Sequence, residues 1–289
     1  MQEIIDFAKD REHNHTYYCH YSTLQKIDCI LKNECIWLSR LDEFNDTSES
    51  DNVANDKNLF GLCFSALFSE NLPMWYLYGG ITGTGARITF KKNSFWKWIN
   101  SLEFVLVNKF DNKVIQDVIP VEKKYHDVIY ASLEGQGKCR IKYNGCVNKN
   151  FLLQDYMVLK EKHKGFVKEI PWFYEKEFRI LVRVDDAIAE QLNRKESEIK
   201  LAVRLREETF KTFDIMLGPE SEIDDFSKYL GFTKFLRSKI QKSSFKVKMN
   251  LLYRNQRNII DEISQWYNEI ASENICEYIH NQNHCKRVK

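Results

Sequence analysis

Proline is scarce, with four residues in 289, and there is no low-complexity tract and no repeat of solenoid or propeller period. That excludes long disordered linkers and points to well-packed regular structure, as does an aromatic content of 13%. No apolar run approaches the ~20 residues a bilayer-spanning helix needs, so no membrane partner is expected. A surplus of one charge is also missing. Lys+Arg number 43 and Asp+Glu 41, so no global field selects nucleic acid or an anionic surface, and only a local basic groove is compatible with the balance. Met1-Gln2-Glu3-Ile4-Ile5 has neither a basic secretory n-region nor a cleavage site. The eight cysteines are therefore expected as reduced thiols in a cytoplasmic protein. Gly-x-Ser-x-Gly and His-Glu-x-x-His are absent, which leaves serine hydrolase and zincin chemistry without motif support. Cys-x-x-Cys is absent as well.

What is present is enough for a large core, with 43% hydrophobic residues in one large domain or two ordinary ones. Thr16–Tyr21 reads as a strand, followed by Ser22 as N-cap with Gln25 at capping-box spacing. A helix with Leu24, Ile27, Ile30 and Leu31 on one face follows, then a strand over Cys35–Ser39. Residues 40–57 are polar and read as a long loop with a short helical turn. Leu59–Ser65 is a buried-type strand, and Pro73 opens a helix that stops at Gly79-Gly80. Gly83 and Gly85 lead into the alternating strand Ala86–Phe90. The order helix, glycine turn, strand is the reverse of the dinucleotide-binding fingerprint, so a Rossmann or P-loop reading is rejected.

Further along, Phe95, Trp96, Trp98 and Ile99 mark a helix, and 104–107 and 114–121 are strand-like. Residues 135–147 read as an exposed insertion and 150–165 as a charged helix. Ile199–Leu205 and Phe213–Leu217 are strands, Gly218-Pro219 a turn, Glu222–Leu230 a helix and Phe245–Leu252 a last strand. From Tyr253 a long amphipathic helix carries Ile259, Ile260, Ile263, Trp266, Tyr267 and Ile270. The expected architecture is an α+β domain over residues 1–252, a mixed, mostly antiparallel sheet forming a cleft with flanking helices. A C-terminal helical appendage and basic tail occupy 253–289.

The chemically unusual stretch is Trp172–Val182. With a period of two, Trp172, Tyr174, Phe178, Ile180 and Val182 share a core-like face interrupted only by Lys176. The other face carries Glu175, Glu177 and Arg179, two carboxylates ~6.6 Å apart along the strand beside a guanidinium. Such a face suits chemistry, or equally a solvated Glu/Arg ladder.

Several separated pieces resemble one bacterial family of unknown function, DUF2971. They are His20-Tyr21-Ser22, Phe44-Asn45-Asp46 with Glu49, Cys63-Phe64-Ser65, Met74-Trp75 and Tyr78-Gly79. Trp172, Tyr174-Glu175-Lys176-Glu177-Phe178-Arg179 and Ile215 with Leu217-Gly218-Pro219 continue the series. The resemblance spans about residues 16 to 252. Thr47 and Phe178 depart from the family's usual proline and tryptophan. A more distant likeness is to ADP-ribosyltransferase-like folds, which begin with an aromatic-His strand and carry a late-strand glutamate. It implies His20 and either Glu175 or Glu177 as catalytic residues, and NAD as the substrate.

In such a site a fixed carboxylate beside the ribose would stabilise the oxocarbenium-like charge that develops as nicotinamide leaves. Tyr21, Trp75 or Tyr78 would stack on a ring, and Arg179 or Arg40 would take the pyrophosphate in a bidentate fork. Asn45, Asp46 and Ser65 would order the loop or hold a hydroxyl. Each has a plain alternative: a core histidine, core aromatics, and turn or cap polar groups. Cys276, His280, His284 and Cys285 have helical spacing for zinc, though chance in a tail accounts for it as well, and no metal is expected. The expected function is an ADP-ribosyltransferase-like or NAD-cleaving enzyme, a toxin or antiphage effector, acting on a protein or nucleic acid acceptor. The alternatives are a noncatalytic sensor of a nucleotide-type small molecule, and an interaction or homo-oligomerisation module working through the 253–279 helix.

Overall fold

The computed structural model describes residues 15–44, 46, 56–67, 69–80, 83–134, 138–143, 146–194, 198–221, 231 and 240–245. These belong to one compact unit, Met1–Phe245. The expected helix at 222–230, the strand after Phe245, the amphipathic helix and the Cys276/His280/His284/Cys285 set lie outside the described residues.

The fold is α+β and mostly antiparallel, with three sheets among the described residues. The largest contains β1 (Tyr17–Ser22), β3 (Ser39–Arg40), β4 (Leu59–Ser65), β5 (Ala86–Lys91), β8 (Glu122–Asp127), β13 (Glu177–Arg183), β15 (Phe213–Leu217) and β16 (Ile240–Lys242). Its order is β16-β15-β5-β1-β4-β13-β8, with β3 attached to β4. A second sheet joins β2 (Cys35–Trp37), β14 (Ile199–Arg204), β6 (Phe104–Asn108) and β7 (Val114–Gln116) in that order. The third runs β11 (Cys146–Leu152), β10 (Lys138–Tyr143), β9 (Ile129–Glu134), β12 (Val167–Lys168). Among the described residues only the pairs β15/β16 and β9/β12 are parallel. The helices are α1 (Leu24–Asn33), α2 (Leu72–Tyr78), α3 (Lys92–Asn100), α4 (Leu153–Lys162), α5 (Asp186–Asn193) and the short α6 (Glu207–Phe210).

Alternation along the strands decides what each face of the large sheet does. Tyr18, Leu62, Phe64, Ile88, Phe90, Phe178, Ile180 and Val182 point into the main core. There they meet Leu24, Ile27, Ile30 and Leu31 of α1, Phe95, Trp98 and Ile99 of α3, and one face of the second sheet. Ring pairs such as Phe90–Trp98, stacked at 5.1 Å, add specific geometry to burial worth ~1.5–3 kcal/mol per large side chain. The opposite face carries the sheet's buried ionic side chains between two smaller apolar clusters, and the third sheet with the chain after β12 lies against it.

Three local expectations are corrected. The N-cap of α1 is Thr23, whose Oγ1 accepts from the Lys26 N–H at 3.4 Å, because β1 extends through Ser22. Residues 135–147 are not merely an exposed insertion. Cys139 and Ile141 of β10 are fully buried against Ile129, Ala131, Tyr156 and Leu159 in a core of their own. The stretch from Trp172 is not continuous strand either. Ile170–Glu175 form a 3-10 helix with Pro171 at its start, and Lys176 closes it at φ 45. Proline fixes its own φ and offers no ladder N–H, so the chain coils for two turns before β13 begins at Glu177.

Candidate functional site

In an antiparallel ladder directly opposed residues share a face. Glu177 opposes Ser65, Arg179 opposes Cys63, and Ser65 in turn opposes Cys19. Cys19 opposes Thr89, Tyr21 opposes Arg87, and Arg87 opposes Met216. Two adjacent files of residues, Glu177–Ser65–Cys19–Thr89 and the Tyr21–Arg87–Met216 file beside it, thus make up one polar row across this face from β13 to β15.

At its β13 end the row holds a buried ion network. Arg179 Nε donates to Glu177 Oε1 at 2.5 Å and Nη2 to Oε2 at 2.9 Å, while Nη1 reaches the Gly165 carbonyl at 2.7 Å. Lys168 of β12 donates to Glu175 at 2.5 Å and to Glu177 at 3.3 Å. The Tyr78 hydroxyl donates to the other Glu175 oxygen, and the Tyr130 hydroxyl accepts the Glu177 N–H at 2.8 Å. Ser65 Oγ donates to the Glu175 carbonyl at 2.7 Å, pinning the 3-10 helix to β4. Phe44 lies over the Arg179 guanidinium and so close to Gly61 that a Cβ there would meet its ring at 2.7 Å. Two carboxylates face two cations, all buried, so the fully ionised cluster is neutral.

The glutamates are split by their partners. Burial pushes Glu175 up to about 7, the Glu177 charge adding to it against the pull of Lys168. For Glu177 burial is overcome by Arg179 and Lys168, which hold it well below the usual carboxylate range. A proton entering the pair therefore sits on Glu175. Because its folded pKa lies above the unfolded value, Glu175 contributes stability that is fully present below about 4.5 and is lost as pH rises through about 7. Glu175→Gln is expected to gain stability relative to wild type on going from pH 5 to pH 8, by on the order of 2–3 kcal/mol. Urea unfolding of both proteins at the two pH values measures this; an unchanged difference would remove the assignment.

At the other end of the row, Arg87 is buried at 4% exposure without a carboxylate partner among the described residues. Its Nη1 donates to the Tyr21 hydroxyl at 2.8 Å and its Nη2 approaches Met216 Sδ at 3.4 Å, while Nε has no hydrogen-bond partner. The guanidinium lies 5.4 Å from the Tyr21 ring centre and 5.9 Å from that of Trp75. Half-buried Tyr17, Tyr78, Tyr174 and Met216 surround this cluster. Trp75 Nε1 donates to Glu70 at 3.2 Å, and the Glu70 oxygens are also engaged by Ser243 and Ser244.

The structure therefore brings together Glu175, Glu177, Arg179, Ser65 and Tyr78, with Tyr21 and Trp75 continuing the row. It does not bring His20. That side chain stands on the core face beside Phe64, at 5.7 Å between ring centres, and its Nδ1–H donates to the Cys63 carbonyl at 3.0 Å. Burial lowers its pKa and keeps it neutral. With the sheet between them, His20 and Glu177 cannot reach one substrate. Arg40 is also elsewhere, held by Asp42 at 2.5 and 2.8 Å and by Asn193 at 2.6 Å. It opposes Phe60, five residues along β4 from Ser65 and so ~17 Å away. Asp46 is buried and acts electrostatically on Tyr156, whose hydroxyl donates to Glu169 at 2.8 Å in a different cluster. Asn45 lies outside the described residues.

Lys168, Arg87, Tyr130 and the covering ring of Phe44 escaped the sequence reading as site residues. Arg87 had a signal, since it alternates with Ala86 and Ile88 and so falls on the polar face. Lys168 had little beyond being a lone cation between Phe166-Val167 and Ile170.

The pattern of the family described as Protein of unknown function (DUF2971) matches residues 74–180. That span includes Tyr78, Arg87, Lys168, Glu175, Glu177 and Arg179, whereas Tyr21 and Ser65 precede it. No curated protein and no solved structure matches the chain.

Proposed function

We propose that the polar row binds an anionic, nucleotide-type small molecule without turning it over. The observation that carries this reading is Arg87, a permanently charged group buried among aromatic rings with no carboxylate partner among the described residues. Buried charges are ordinarily paired, and an isolated one costs several kcal/mol, which a bound phosphate or carboxylate would offset. Arg179 is taken by Glu177 and Arg40 by Asp42, whereas Arg87 has no carboxylate partner among the described residues and is available to a ligand. The ligand would enter past the half-buried Tyr78 and Tyr174, whose rings suit a base or nicotinamide.

Glu175 supports a second reading, NAD cleavage. Its carboxyl, raised to about 7 and contacted by Tyr78 and Lys168, has the poise of a general acid or base. In that reading Glu175 acts, Glu177 positions Lys168 and Arg179, and His20 has no part. Both readings are tested by adding NAD, ADP-ribose and AMP to the full chain and following melting temperature and nicotinamide release. Ligand-dependent stabilisation without release supports binding alone, and release that Glu175→Gln abolishes moves the assignment to cleavage. Neither effect with any ligand overturns both.

A further inference from the structure

On the same face of the large sheet, at its β8 edge, lies a cavity of about 440 Å³. We infer that it is a separate binding site for a small amphipathic anion, an apolar ring or short acyl body carrying one phosphate, sulfonate or carboxylate.

The cavity has the two-part surface such a ligand needs. Leu59, Phe166 and Leu181 line it and are buried in one apolar cluster. Around them stand His126 of β8 and His163 of the turn after α4, their ring centres 6.1 Å apart. The volume falls within the ~300–1,000 Å³ typical of small-molecule sites, and the lining, an apolar floor ringed by charged and imidazole side chains, is more polar than is usual for them.

The charges around the cavity favour an anion. Lys164 and Arg183 share a single carboxylate, Asp56, at 2.9 and 2.7 Å, so one positive charge there is not neutralised. Their hydrogen bonds, Arg183's foremost, bring Asp56 down to about 2, and it stays ionised throughout the useful pH range. Lys124 of β8 pairs with Glu122 at 3.1 Å. Lys162, at the end of α4, has no ion pair among the described residues and offsets Glu161 beside it. The surround therefore carries one excess positive charge before any imidazole is protonated. Burial, with His126 and Lys162 nearby, lowers the His163 pKa. An anion beside His163 favours protonation of that ring, and by linkage acid strengthens its binding.

The test uses benzenesulfonate, whose charge is constant with pH, in calorimetric titrations of the full chain at pH 5.5 and pH 8.0. Benzenesulfonamide serves as the neutral control. Binding is expected to be about tenfold tighter at pH 5.5, as an added charge a few ångströms away implies after screening. His163→Gln should lose most of that pH dependence, and Lys162→Gln should weaken binding several-fold at both pH values. The same titrations on Arg87→Met, which lacks the cation of the site proposed above, should still show this binding and its pH dependence, which separates the two sites whether or not that proposal holds. His163→Asn provides a second variant should His163→Gln melt early. Undetectable binding, equal affinity at the two pH values, equal affinity for the sulfonamide, or loss of binding in Arg87→Met each overturns the inference.

Discussion

Arg179→Met is expected to destabilise the protein by about 3–5 kcal/mol, measured as a shift of the urea midpoint at pH 7 with an unchanged slope. The guanidinium is completely buried and each of its nitrogens has an acceptor: both Glu177 oxygens and the Gly165 carbonyl. Removing it leaves Glu177 buried with the Cys63 thiol and, as counter-charge, only a share of Lys168, which is also held by Glu175. The cluster then carries a net negative charge in an enclosed space, and the Gly165 turn, at φ 80, loses its donor. Arg179→Lys should recover little, because an ammonium cannot reproduce the two-pronged hold on the carboxylate. Glu177→Leu combined with Arg179→Met should recover more than either single change, since an apolar pair of similar volume removes both buried charges. A loss under 1 kcal/mol for Arg179→Met would show that water enters the cluster and screens it.

This network was only half legible in the sequence. From Phe178 onward the alternation was sufficient, because β13 is a regular central strand and period two sorts Phe178, Ile180 and Val182 from Glu177, Arg179 and Leu181 without tertiary information. Upstream the same alternation misled. Trp172, Tyr174 and Glu175 fit a strand by residue type, and only Pro171 and the left-handed turn at Lys176 distinguish a 3-10 segment from an extended one. Glu175 nevertheless arrives beside Glu177, through the coil and Lys168 rather than by strand spacing. The third sheet was hidden by its hairpin. Lys138–Tyr143 alternates cleanly, but the glycines on either side made it read as an insertion. Residues 144–145, Asn-Gly between Tyr143 and Cys146, are in fact a strong two-residue hairpin signal. His20 shows the limit of a motif read without faces. It follows Cys19 and precedes Tyr21, both on the polar face, so its own position in β1 commits it to the core. Which arginine is paired could not be read at all, because the partners lie far away in the chain or, like Gly165, are backbone atoms.

Arg87→Met is expected to have the opposite sign from Arg179→Met, although both arginines are buried on one face of one sheet. It should raise the stability of the ligand-free protein by about 1–3 kcal/mol, the gain seen when buried charge is exchanged for apolar volume. Arg87 has neither of the features that make Arg179 stabilising. No carboxylate lies within ion-pair distance among the described residues, and Nε is unsatisfied, so the cost of removing the charge from water is met only by the Tyr21 hydroxyl, the Met216 sulfur and two ring faces. Glu70 also acts electrostatically on Arg87, but its oxygens are engaged by Trp75, Ser243 and Ser244. A methionine fills much of the same volume, packs on Tyr21 and Trp75, and leaves the Tyr21 hydroxyl a contact to the Asn71 backbone. The same variant should abolish any nucleotide-dependent rise in melting temperature, because the anion loses its only buried cation in that cluster among the described residues. Stability and binding thus move in opposite directions, as expected of a charge retained for its ligand at the expense of the fold. Urea unfolding and melting with and without saturating ligand measure both. If Arg87→Met destabilises by more than about 1 kcal/mol, the guanidinium is satisfied in the free protein and the site has no claim on an anion.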